Sequence, residues 1–170
     1  MSLIDITWRR KMALVAVCYA AVIGLGVLAI VLRYFEEMRN PNDFNGGMAA
    51  AGDWMLELMI GMALLVPTFL LALVVREREA ASLMFAKVLF AFSLTALLSM
   101  ALDAIPVISQ TNNLVGTLCM YRLLASPVVL AGMGTSRLLA RYRPAKRLIS
   151  YALVCEAIPL AAFVVALFWR

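Results

Sequence analysis

Residues 12–32, MALVAVCYAAVIGLGVLAIVL, form a run of 21 residues without a charged side chain. Because an α-helix rises 1.5 Å per residue, about 20 apolar residues cross a hydrocarbon core of roughly 30 Å. A cleavable signal peptide has a shorter apolar region followed by a small-residue cleavage site, whereas the charged Arg33 follows here. The run therefore predicts a retained transmembrane helix.

Four further apolar runs of similar length follow the first. Hydrophobic residues make up 65% of the 170-residue chain and charged residues 15%, and the mean hydropathy of +0.95 is far from that of soluble proteins. The pattern predicts an all-α fold, a polytopic bundle of five transmembrane helices in one domain over residues 1–170. The predicted spans are about 12–32, 54–75, 83–102, 114–136 and 148–168. Two predicted loops stand out, a polar one at 33–53 and a basic one at 137–147.

The basic residues give these helices a direction. With a cytoplasmic N-terminus, eleven Lys and Arg residues lie inside and three lie outside. Since the bias of Lys and Arg sets orientation, the sequence predicts a multi-pass protein of the plasma (inner) membrane with its N-terminus in and its C-terminus out. Loop 33–53 is then external and loop 137–147 cytoplasmic.

The composition argues against several classes of function. Histidine is absent, which excludes His-held haem, most zinc sites and His-dependent hydrolases unless a partner supplies the residue. Cys18, Cys119 and Cys155 lie inside apolar runs without C-x-x-C spacing and are interpreted as buried hydrophobic residues. No Gly-rich phosphate loop or nucleophile elbow is present, so we expect no catalytic residue, no cofactor and no metal. The basic residues flank apolar runs, which does not favour nucleic acid as a partner.

Two charged residues lie inside predicted spans, Arg122 in the fourth and Glu156 in the fifth. Each costs about 2.5–3.5 kcal/mol near the centre of a membrane helix, so each needs a partner or a wet cavity. Counted from opposite ends of their spans, both lie about eight residues deep, roughly 12 Å, which lets the side chains pair. Pro127 and Pro159 would free the carbonyls of Leu123 and Cys155 beside them. A structural ion pair and a functional polar site are equally consistent with this pattern.

A second acidic group lies near the outer face. Asp53 and Glu57 are four residues apart, and Asp103 ends the third span. This group is an alternative partner for Arg122, so the candidate intramembrane site comprises Arg122, Glu156, Asp103 and Glu57. On the third span Ala91, Thr95, Ser99 and Asp103 recur every fourth residue, a pattern typical of helix contact more than of a water path.

The basic loop is a candidate contact for anionic lipid. Its cations are Arg137, Arg141, Arg143, Lys146 and Arg147. Each charge near an anionic surface contributes around 1 kcal/mol. A role in topology alone explains the same residues equally well.

Three functions are compatible with the sequence. The first is a non-enzymatic subunit that packs with copies of itself or with other membrane chains. The second is a small oligomeric channel or transporter with a polar site at mid-membrane. The third and least supported is an enzyme acting on lipids, in which Glu57 and Asp103 would do acid–base work or bind a metal.

Overall fold

The computed structural model describes residues 3–39, 47–103 and 113–169, and in these ranges all secondary structure is α-helical. The helices are α1 Leu3–Arg39, α2 Gly47–Val75, α3 Glu79–Asp103, α4 Asn113–Leu124, α5 Ser126–Leu139 and α6 Arg143–Phe168. Helices α1, α2, α3 and α6 are each long and apolar enough to cross a membrane, and α4 with α5 forms a fifth candidate span bent by 45°. The described residues therefore form an all-helical protein with four or five candidate membrane spans.

The helices group into two compact units, Met1–Val74 and Val75–Arg170, called unit 1 and unit 2 below. Unit 1 is an antiparallel pair of long helices, α1 and nearly all of α2. Gly26 of α1 meets Ile60 of α2 so closely that a Cβ atom on the glycine would lie 3.2 Å from Ile60 Cγ2. Further along, the hydroxyls of Tyr19 and Thr68 lie 2.8 Å apart in a hydrogen bond. Close approach at a small residue and one neutral hydrogen bond join the two helices, as is usual between membrane helices.

Unit 2 is built around the contact of α3 with α6. Along α6 the buried residues follow one another at alternating intervals of four and three: Ala145, Ile149, Ala152, Glu156 and Pro159. Along α3 the buried residues Ser82, Ala86, Ser93 and Ala96 fit the same spacing, with Leu89 packed at the position between. This 3.5-residue repeat keeps one face of each helix against the other, as in a left-handed coiled coil. Small side chains let the two backbones approach closely.

The α4–α5 pair runs in the opposite direction to α3 and α6. At one level Met133 and Ala140 of α5 pack with Ala86 of α3 and Ile149 of α6. At another level Arg122 of α4 bonds to residues that come later in both α3 and α6. Helices α3 and α6 therefore run in the same direction, and α4 and α5 run in the opposite direction. Unit 2 thus consists of three passes, in which α3 and α6 are parallel and the α4–α5 pair is antiparallel to both.

The helix boundaries differ from the predicted ones in three places. Helix α1 continues to Arg39 and α2 begins at Gly47, so both extend into the polar segment 33–53, of which 40–46 lies outside the described residues. Helices α5 and α6 likewise leave only residues 140–142 of the basic segment outside a helix. Charged residues such as Glu and Arg are good helix formers, so a helix need not end at the membrane surface. The predicted single helix 114–136 is instead divided at Ala125, because Pro127 stands at the start of α5.

Candidate functional site

The site is an ion pair between α4 and α6. Arg122 Nη1 donates to Glu156 Oε1 and Nη2 donates to Glu156 Oε2, each at 2.7 Å. This is a bidentate guanidinium–carboxylate pair, the strongest and most directional form of a protein ion pair. The Glu156 side chain has no exposed surface, and that of Arg122 retains 13%. Of the two partners for Arg122 that the sequence left open, the structure shows Glu156 in this pair.

Helix α3 completes the surroundings of the guanidinium. The Thr95 hydroxyl donates to the Phe92 carbonyl at 2.6 Å, which leaves its oxygen free to accept from Arg122 Nε at 2.9 Å. The same Phe92 carbonyl accepts from Nη2 at 3.4 Å, and the Phe92 ring lies 4.6 Å below the guanidinium carbon in a cation–π contact. Four of the five guanidinium N–H groups are therefore donated within unit 2.

The pair lies at the level of the middle of α3 and α6. Phe92 and Glu156 are each thirteen residues from the first residue of their helix, or about 20 Å along the axis. Helices α3 and α6 are 25 and 26 residues long, or about 38 Å. Arg122 reaches this level although it stands near the C-terminal end of α4. Ser126 Oγ, just beyond the break at Ala125, donates to the Arg122 carbonyl at 3.4 Å. The α4–α5 pair, with its break at Ala125, therefore places the Arg122 guanidinium at the same level along α6 as the Glu156 carboxylate.

The other two predicted members of the site are Glu57 of α2 and Asp103 of α3. Glu57 is exposed and belongs to unit 1, where α2 carries it one turn after Asp53. Asp103 is the last residue of α3, eight positions or about 12 Å beyond Thr95, and its side chain lies outside the described part of the chain. The structure thus brings together two of the four candidate residues, Arg122 and Glu156.

Sequence reasoning missed Phe92 and found Thr95 only as part of a small-residue pattern. The two stand three positions apart on α3 and so share one face. Ser99, one turn further, is buried and donates to the Thr95 carbonyl at 2.8 Å. The signal for this contact is the hydroxyl itself, because a membrane-embedded arginine needs acceptors and α3 offers Thr95. The rotation of α3 about its axis decides which residue is used.

The five basic residues at the end of α5, in the turn after it and at the start of α6 are all exposed: Arg137, Arg141, Arg143, Lys146 and Arg147. None of their side chains makes an ion pair or hydrogen bond with another described residue. Tyr142, in their midst, packs against the buried cluster of unit 2 and anchors the turn. In the described part of the chain, these five cations are therefore exposed around the turn between α5 and α6 without a side-chain partner.

As a whole, the Arg122–Glu156 pair carries no net charge and has both carboxylate oxygens occupied. It joins three helices, since α3 supplies the acceptors, α4 the cation and α6 the anion. Among the described residues no group of three or more His, Cys, Asp and Glu side chains is arranged to hold a metal ion. Comparisons of the chain with protein-family models, curated proteins and solved structures find no match.

Proposed function

We propose that this protein is a non-enzymatic subunit of a homo- or hetero-oligomeric membrane complex, in which unit 2 is a rigid scaffold. The observation that carries the proposal is the closed Arg122–Glu156 pair. A site that binds and releases a ligand needs free donors or an exposed charge. Here the carboxylate is fully buried, and the guanidinium is already bonded to Glu156, Thr95 and Phe92. The arrangement fits a clamp that holds three helices in register.

Helix α1 supplies the surface for assembly. Ala16, Ala20 and Gly24 recur every fourth residue and are exposed, and their face of α1 is turned away from the buried Val15 and Gly26. A Cβ atom added to Gly24 would meet nothing within 4 Å. Small residues on an open helix face favour close packing by another membrane helix. The assembly partner is therefore a second copy of this chain or another membrane subunit.

Matched substitutions on α1 test this surface. In mild detergent, native mass measurement of Ala20→Leu and Gly24→Leu should show loss of the complex, because the larger side chain blocks close approach. Ala21→Leu is the control, since Ala21 is also exposed but lies about 100° around the helix from Ala20. Equal assembly by Ala20→Leu and Ala21→Leu, or a wild-type protein that is strictly monomeric, would contradict the proposal.

The proposed topology is five spans, with the N-terminus in and the C-terminus out, in the plasma or inner membrane. The opposite direction of the α4–α5 pair relative to α3 and α6 supports counting the pair as one crossing. The excess of basic residues at the start of α1 and around the turn between α5 and α6 supports the orientation. A compartment-sensitive reporter fused after residue 170 should be active only outside the cytoplasm. A cytoplasmic signal from this reporter would contradict the proposed five crossings, because an odd number of spans places the two termini on opposite sides.

A second function, an oligomeric channel or transporter, is favoured by one observation. The Arg122 side chain is not fully enclosed, and the neighbouring Thr95 is exposed, so an anion can approach the guanidinium from the α3 side. The double variant Arg122→Met/Glu156→Met separates the two functions. A scaffold should still assemble when both charges are replaced by apolar side chains of similar length, whereas a conduction path should lose all flux in proteoliposomes.

A further inference from the structure

The outward face of α6 changes from charged to apolar along its length. Arg143, Lys146 and Arg147 occupy its first turn and lie within an arc of about 100°. The buried residues Ala145, Ile149 and Ala152 lie on the opposite side of the helix. The three cations therefore point away from the core of unit 2. Arg137 and Arg141 add two exposed charges close by, and residues 137–147 contain no acidic side chain.

The same face continues as an exposed apolar strip. Tyr151, Val154 and Ile158 follow the basic turn and have 62%, 56% and 49% of their surface exposed. They lie on the same side of α6 as the cations, at intervals of three and four residues. From Arg147 to Ile158 the helix rises about 16 Å, which matches one leaflet of a hydrocarbon core of roughly 30 Å. The tyrosine, with its polar tip, stands between the charged and the aliphatic parts, as aromatic residues do at membrane interfaces.

We propose that this face binds an anionic phospholipid, with its phosphate against Arg143, Lys146 and Arg147 and an acyl chain along Tyr151, Val154 and Ile158. Charge complementarity selects the headgroup, because three exposed cations close together at the start of α6 attract a phosphate. Residues 137–147 contain no acidic side chain that would repel it. The length and apolarity of the strip select a lipid over a soluble anion. The leaflet, that of the cytoplasmic side, depends on the topology proposed above, but the binding face does not.

Lipid binding by the reconstituted full-length chain tests the proposal. Native mass measurement after titration with phosphatidylglycerol should show one tight site that phosphatidylcholine does not fill. In Arg143→Gln/Lys146→Gln/Arg147→Gln the apparent affinity for phosphatidylglycerol should fall by about tenfold or more, since each charge contributes around a two- to fivefold factor. The control, Arg9→Gln/Arg10→Gln/Lys11→Gln, removes the same charge from the start of α1 and should change the affinity less than about threefold. Equal losses in the two triple variants would show general surface attraction and overturn the site.

A second pair of measurements separates lipid from free phosphate. Val154→Ser/Ile158→Ser leaves every charge in place and should still weaken phosphatidylglycerol binding, because the acyl chain loses its apolar strip. Unchanged binding in this variant, or full competition by inorganic phosphate, would overturn the proposal in favour of a soluble anion. All of these side chains are exposed, so the variants should keep the helical content of the wild type. If the C-terminal reporter shows a cytoplasmic C-terminus while the protein still selects phosphatidylglycerol, only the proposed topology would be overturned.

Discussion

Unit 1 and unit 2 are both made of apolar helices, but different interactions hold them together. In unit 1 the contact is a close approach at Gly26 and a neutral hydrogen bond between Tyr19 and Thr68. Unit 2 adds a bidentate ion pair in the middle of its helices, where an unpaired charge is most costly. Neutral packing permits small adjustments between helices, whereas a charge pair has one satisfactory geometry. We therefore expect unit 2 to be the more sharply ordered of the two, and the more sensitive to single changes.

The cysteines allow the units to be followed separately. Cys119 and Cys155 belong to unit 2, the first buried and the second half-buried, and Cys18 is half-buried in unit 1. A thiol-reactive dye applied during heating reports the exposure of these side chains on unfolding. Cys18→Ala leaves a reporter of unit 2, and Cys119→Ala/Cys155→Ala leaves one of unit 1.

Breaking the ion pair should have the largest effect. Arg122→Met or Glu156→Met leaves the other charge buried without its partner, and we expect a loss of about 3–5 kcal/mol in the stability of unit 2. The double variant should recover most of this loss, because replacing both members by apolar side chains removes the unpaired charge. Thiol exposure in the Cys18→Ala background measures each variant. Lys87→Met is the control, since Lys87 is exposed and its replacement should be nearly neutral.

A double variant no more stable than the single ones would contradict this account. It would indicate that the charges stabilise unit 2 through more than mutual neutralisation, for instance through the contacts of Arg122 with Thr95 and Phe92.

Crowding the α3–α6 contact should have the next largest effect. Ala152 is fully buried against α3, and Ala152→Leu should destabilise unit 2 by about 1–3 kcal/mol because the two helices must separate. Ala157→Leu adds the same atoms at an exposed position of α6 and should change stability little. Equal effects of the two substitutions on thiol exposure would contradict the 3.5-residue repeat of contacts between α3 and α6.

In unit 1 the glycines provide a smaller contrast. Ala in place of Gly favours any helix by about 0.5–1 kcal/mol, and Gly24→Ala should show this gain because its Cβ meets open space. At Gly26 the new Cβ would lie 3.2 Å from Ile60 Cγ2 and would push the helices apart. We expect Gly26→Ala to be less stable than Gly24→Ala by about 1 kcal/mol in the unit 1 reporter background. The reverse order would mean that Ile60 gives way without cost.

The smallest effect should come from the neutral hydrogen bond. Tyr19→Phe removes the hydroxyl that bonds to Thr68, while Thr68 keeps its bond to the Leu64 carbonyl at 2.7 Å. Hydrogen bonds between membrane helices contribute about 0.6 kcal/mol on average, so a loss of that size is expected in unit 1. Tyr34→Phe, at an exposed position of the same helix, is the control. A loss comparable to that of Arg122→Met would erase the difference between the two units.

Part of the site is predictable from the sequence. A charge inside an apolar run demands a partner, and Glu156 lies inside another span at a depth that lets it pair with Arg122. The sequence left the acidic group near Asp103 and Glu57 as an alternative partner, and the structure shows the pairing with Glu156. The contacts to Phe92 and Thr95 do not follow, because they depend on how α3 is rotated. The division of the fourth span at Ala125 was also missed, since a proline in a membrane run predicts a kink as readily as a break.

The sequence by itself determined that the chain is helical, that it has runs long enough to cross a bilayer, and where its charges must be neutralised. These properties depend on length, hydropathy and local order, which are written along the chain. Only the tertiary structure decided that small residues on α3 and α6 form one contact face, that α4 and α5 run in the opposite direction, and that Arg122 donates to three residues of two helices. Those features depend on how helices rotate and approach, and many arrangements bury the same apolar area, so hydropathy cannot choose among them.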